Sequence, residues 1–82
     1  MKNKHAIALN EAAKKYSDWF KSAFSDDKDM LAGGKKDYQD LISIVQMIEA
    51  GEAEATIARS MSRLDTAVRE VIPDAVYYHY VR

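Results

Sequence analysis

Apolar residues recur every three or four positions between residues 3 and 24, at Leu9, Ala12, Ala13, Tyr16, Trp19, Phe20, Ala23 and Phe24. That period marks one face of an amphipathic helix, and Lys14, Lys15, Lys21 and Asp18 lie largely off it. The stretch SDDKDMLAGG then reads as a polar break closed by Gly33-Gly34, with one helical turn around residues 29–32. A second helix is predicted over residues 36–50, with Tyr38, Leu41, Ile42, Val45 and Ile48 on one face and Gly51 ending it in a left-handed cap. Two short helices are expected within residues 53–72. Pro73 stops the second of them, because it lacks an amide hydrogen and disfavours a helical Ile72. The tail over residues 74–82 fits a short helix capped by Asp74, which groups Val76, Tyr77, Tyr80 and Val81. Its aromatic and β-branched residues also suit a strand; the helix is the reading adopted. The expectation is an all-α fold, a single small bundle of about five helices with a helix-turn-helix in its C-terminal half.

The case for the helix-turn-helix lies in which positions are small or apolar. Two short helices crossing steeply bring their backbones together, so the middle of the first needs a small residue, and Ala58 stands there. Ile57 and Met61, four residues apart, share its buried face. Val68 with Val71 or Ile72 supplies the buried stripe of the next. Ser62 occupies the turn position where glycine is commonest, or else caps the following helix with Asp65 three residues on. The turn residue that would point inward is Arg63, so Leu64 must take over its burial.

The run GEAEATIARSM from Gly51 to Met61, followed by Ala67-Val68, resembles the helix-turn-helix of KorA/TrfB-type plasmid repressors. It is similar, less closely, to the run found in resolvases and many small regulators. The resemblance covers the C-terminal half and implies a small dimeric repressor that places its second short helix in the major groove. On that reading Asp65, Thr66, Arg69 and Glu70 face the bases, with Arg69 suited to guanine and Thr66 to a thymine methyl. Arg59 and Arg63 sit on phosphates, and the dimer binds a palindrome whose half-sites lie about one helical turn apart. The ending IPDAVYYHYVR is similar to the C-terminal end of Hha/Cnu-type nucleoid-associated proteins.

Charge opposes a nucleic-acid role. The chain carries 12 basic and 13 acidic residues, a net of −1, whereas DNA-binding domains draw much of their affinity from basic residues that displace counterions. Eighty-two residues make one domain, small enough that a homodimer is a natural expectation. With no cysteine there is neither a disulfide framework nor a thiolate metal site, which fits a cytoplasmic protein. No apolar run reaches the ~20 residues that span a membrane, and the N-terminal apolar stretch is broken by Asn10 and Glu11, unlike a signal peptide.

No catalytic constellation is present, and no cofactor or metal is expected. His5 and His79 are far apart in sequence, the cluster Asp26-Asp27-Lys28-Asp29 lacks the ligand spacing of a calcium loop, and there is no phosphate-cradling glycine loop. Trp19 and Phe20 read as core or as an interface, and Tyr77 and Tyr80 pair apolar faces with hydroxyls as interface residues do. Two functions therefore stand against each other. The leading one is a dimeric helix-turn-helix repressor binding double-stranded DNA. The other is a small phage- or plasmid-encoded protein that inhibits a host or defence complex by protein–protein binding. A purely structural dimerisation module, with the two long helices forming a four-helix seam, is a third. The arginines divide the first two. If Arg59, Arg63 and Arg69 share an exposed face with Thr66, DNA gains; if Arg63 or Arg69 is tied to Glu70 or Asp65, protein binding gains.

Overall fold

The computed structural model describes residues 3–81, and these are helical throughout their regular structure, with no strand among them. Five helices follow in order: α1 (Lys4–Ala23), α2 (Lys28–Glu49), α3 (Glu54–Ser62), α4 (Thr66–Arg69) and α5 (Asp74–Tyr80). Helix α1 starts where Asn3 accepts a hydrogen bond from the His5 amide at 2.8 Å, which satisfies one of the amides a helix start leaves open. Helix α2 starts the same way, with the Asp27 carboxylate accepting from the Met30 amide at 3.1 Å. Asp29 in its first turn adds favourable charge at the positive end of the helix dipole.

The start of α2 corrects the expected break. Gly33 and Gly34 do not end a loop; they lie inside the helix, which begins eight residues before residue 36. Two interior glycines cost about 1 kcal/mol each against alanine. The Asp27 cap and the packing of α2 on α1 outweigh that cost. At the other end Gly51 takes φ +74°, with its amide bonded to the Ile48 carbonyl and the Glu52 amide to the Met47 carbonyl, both at 3.1 Å. This is the paired closure that lets a left-handed residue satisfy the last carbonyls of a helix.

Helices α1 and α2 form an antiparallel hairpin, and the C-terminal helices close over its open end. There α1 contributes Ala6, Leu9 and Ala13, and α2 contributes Leu41, Ile44, Val45 and Ile48. Ile57, Met61, Val68, Ile72 and Val76 complete the core from the short helices and their connections. Helix α3 touches both α2 and α5, and α5 returns to the start of α1. The tail is thus a helix, not a strand, and it ends at Tyr80 with Val81 extended; Arg82 lies outside the described residues. The opposite end of the hairpin projects, so the domain measures 39 × 25 × 19 Å.

The short helices also differ in detail from expectation. Ser62 neither turns left-handed nor caps α4. It is the last residue of α3, and its hydroxyl donates to the Ala58 carbonyl at 3.0 Å. Asp65 precedes α4 without making a side-chain cap. Leu64 packs against the core while Arg63 is exposed. Helix α4 is a single turn, and the chain turns again through residues 70–72 before Pro73.

Candidate protein-binding surface

Beyond Ala13 the apolar stripe of α1 runs off the core. Between Ala13 and Leu41 the only buried residue is Gly34. Tyr16 still packs against the edge of the core, and from there Tyr16, Trp19, Phe20 and Phe24 pack on one another. Phe20 lies 4.7 Å from Phe24 and 5.6 Å from Tyr16 between ring centroids. Trp19 stands edge-on to both phenylalanines at 6.0 and 6.2 Å. Trp19 is 60% exposed, while the other three are half-buried.

Gly34 explains how this cluster is seated. A side chain there would overlap the Phe20 ring, so the glycine lets the ring lie against the α2 backbone. One turn away, the Tyr16 hydroxyl donates to Asp37 at 3.1 Å and ties the two helices together. Its pKa is pushed up to about 12, first by burial, then by its bond to the Asp37 carboxylate and that group's charge. Beside the cluster, α1 and α2 enclose an open groove of about 840 Å³. Phe20, Leu31 and Tyr38 supply its apolar lining, and Lys14, Lys21 and Lys35 stand around it with Asp18 as the one carboxylate.

The C-terminal half arranges the sequence-derived candidates differently. Ile57, Met61 and Val68 are buried as the helix-turn-helix pattern requires, and Ala58 is half-buried. Asp65, Thr66 and Glu70 are exposed, as are Arg59 and Arg63, and neither of these arginines is in an ion pair among the described residues. Arg69 is half-buried and donates from Nη2 to the Thr66 hydroxyl at 3.2 Å. The arginines therefore follow neither expected alternative. None is tied to Asp65 or Glu70, yet Arg69 and Thr66 bond to each other. The element carrying them is one turn, roughly 6 Å long, flanked by two carboxylates.

The four expected interface residues do not form one surface. Tyr77 and Tyr80 are half-buried against the core at the closed end, and Tyr80 lies some 14 helical positions from Trp19 when projected onto α1 through its contact with His5, roughly 20 Å. His5 stacks on His79 with ring centroids 4.2 Å apart, and His79 Nε2 lies 3.2 Å from a Glu54 carboxylate oxygen. The pKa of His5 is lowered, chiefly by burial and then by the neighbouring His79 and Lys4 charges, with Glu54 opposing. Burial and the Glu54 charge raise that of Tyr80. This cluster joins α1, α3 and α5, with His79 and Glu54 engaged with each other. Among the described residues no group of histidines and carboxylates is arranged to hold a metal ion, and no helix is long and apolar enough to cross a membrane.

Trp19 and Phe20 were legible in the sequence as interface candidates; the groove beside them was not. In the sequence Lys14 and Lys21 lie off the apolar stripe, and Gly33-Gly34 reads as the close of a loop. A signal was present in that pair of glycines, since a small residue facing a large aromatic marks a close helix–helix approach. No family model, curated protein or solved structure matches the chain.

Proposed function

We propose that the protein is a small binding module, an adaptor or inhibitor, that docks the projecting end of its α1–α2 hairpin onto a partner protein. The carrying observation is the aromatic cluster Tyr16, Trp19, Phe20 and Phe24, seated by Gly34, with Trp19 60% exposed at its surface. Clustered aromatics held in place by one another present a large apolar contact at small entropic cost, and tryptophan and tyrosine dominate the energetics of protein interfaces. A neutral domain without a catalytic constellation fits such a role. The test is affinity capture with the native chain and with Trp19→Ala/Phe20→Ala. A partner retained by the first and lost with the second, while Arg59→Ala/Arg63→Ala still retains it, is the expected result; a partner indifferent to the aromatic pair would sink the reading.

The second reading is a dimeric repressor binding double-stranded DNA. The exposure of Arg59 and Arg63 without ion-pair partners favours it. Against it stand the one-turn α4, the Thr66–Arg69 bond and the adjacent Asp65 and Glu70 carboxylates. Salt-titrated retention on a random duplex pool separates the two. Selective binding that weakens steeply with salt and depends on Arg59 and Arg63 would establish the repressor.

A further inference from the structure

We infer that the α1–α2 groove takes an acidic amphipathic helix of the partner protein, a ligand class that follows from the groove's shape and charge. The inference rests on the binding-module reading and gives the partner a chemistry. Charge complementarity is its basis. The whole chain is nearly neutral at −1, yet the groove sets Lys14, Lys21 and Lys35 against Asp18 alone, around Phe20, Leu31 and Tyr38. The matching ligand has an apolar ridge with carboxylates on its flanks.

Shape selects a helix over an extended strand. The described residues contain no strand whose edge could accept a further one, so main-chain pairing is not offered. The open groove between the two antiparallel helices offers a channel into which a third helix fits its ridge of side chains, the helix-in-groove mode of recognition. The aromatic cluster forms one wall of that channel through Phe20, which belongs both to the cluster and to the groove lining. The lysine ammoniums, on long stems at an exposed rim, draw an acidic segment in and reject a basic one, which is how rim charges act at interfaces.

The test uses the full chain and a pair of synthetic amphipathic peptides of about four helical turns, sharing one leucine-rich face and differing only in glutamate or lysine on its flanks. Fluorescence anisotropy should show the acidic peptide bound and the basic one bound at least about tenfold more weakly. Lys21→Glu/Lys35→Glu, on residues that are exposed and outside any ion pair among those described, should weaken the acidic peptide about tenfold and improve the basic one. The charge-reversed variant and the native chain should melt alike. Equal binding of the two peptides, or no exchange of preference in the charge-reversed variant, overturns the inference. So does an oligonucleotide bound with the same lysine dependence, or a hairpin-mediated dimer of this chain that Phe20→Asp dissociates. If the peptides fail while capture of a partner still depends on Trp19 and Phe20, the groove assignment falls alone; if that capture fails too, the binding-module reading falls with it.

Discussion

At the closed end of the hairpin, Ala6, Leu9 and Ala13 of α1 meet Leu41, Ile44, Val45 and Ile48 of α2 beneath α3 and α5, and all are buried. At the projecting end the same stripe of α1 continues with larger apolar residues, yet Trp19 stays 60% exposed. The closed end has small and aliphatic residues and three further helical segments to cover them. The projecting end has aromatics, two interior glycines and nothing beyond the hairpin itself. Helical periodicity defines a face in both places, but only neighbouring elements decide whether that face becomes core. Bulky aromatics on an uncovered face resemble the anchors of an interface more than a failed core.

Mutations separate the two ends most sharply by stability. Leu9→Ala should cost about 2–5 kcal/mol, because Leu9 is fully buried and its removal leaves a cavity. In a domain whose whole stability is about 5–15 kcal/mol, urea denaturation should show a large shift. Trp19→Ala should cost less than about 1 kcal/mol, since it loses edge contacts but little burial. A Trp19 variant as unstable as the Leu9 variant would mean that the projecting end is a true second core.

The glycines sharpen the contrast on a smaller scale. Gly51→Ala should destabilise by about 1–2 kcal/mol, because φ +74° is costly for any residue with a Cβ. Gly33→Ala should stabilise by about 0.4–1 kcal/mol, since the position is helical and open space surrounds the added methyl. Thermal melts of the two variants should therefore move in opposite directions.

Smallest of all are the pH effects, and they too divide by end. Tyr16, at the projecting end, has a folded pKa above its ordinary value of 10.0, so its contribution is complete below about pH 10 and is lost as pH rises toward about 12. Tyr16→Phe should remove this alkaline loss. His5, at the closed end, has its pKa lowered below 6.5, so the unfolded chain takes up the proton more readily and stability declines as pH falls below that value. His5→Phe should flatten the acid side of the profile. Exchanged assignments, with His5 governing the alkaline side, would contradict the geometry of both clusters.

Much of the architecture was readable from residue order. The amphipathic first helix, the Gly51 stop and the buried set Ile57, Met61 and Val68 all follow from local periodicity and backbone chemistry, and the structure has each in its place; the second short helix, expected to run to Pro73, ends already at Arg69. The misreading at Gly33-Gly34 came from the same local logic. Glycine is a helix breaker on average, and only a partner helix across the hairpin reveals that its missing side chain makes room for Phe20. The candidate surface was half visible. Trp19 and Phe20 stood out as aromatics on a helix face, but Lys14, Lys21 and Lys35 gather around one groove only because α1 and α2 run antiparallel.

By itself, then, the order of residues determined most of the helices, the Gly51 cap and which faces are apolar, because those depend on interactions within a few positions of the chain; the caps expected at Ser62 and Asp74 are not formed. The tertiary structure decided three things. It showed that α3 and α5 cover only one end of the hairpin, that α4 amounts to a single turn, and that Arg69 bonds to Thr66. Each turns on which distant segment lies alongside, or on how far a short helix survives the turns around it. Burial is a property of neighbours in space, and a periodic stripe carries no record of them.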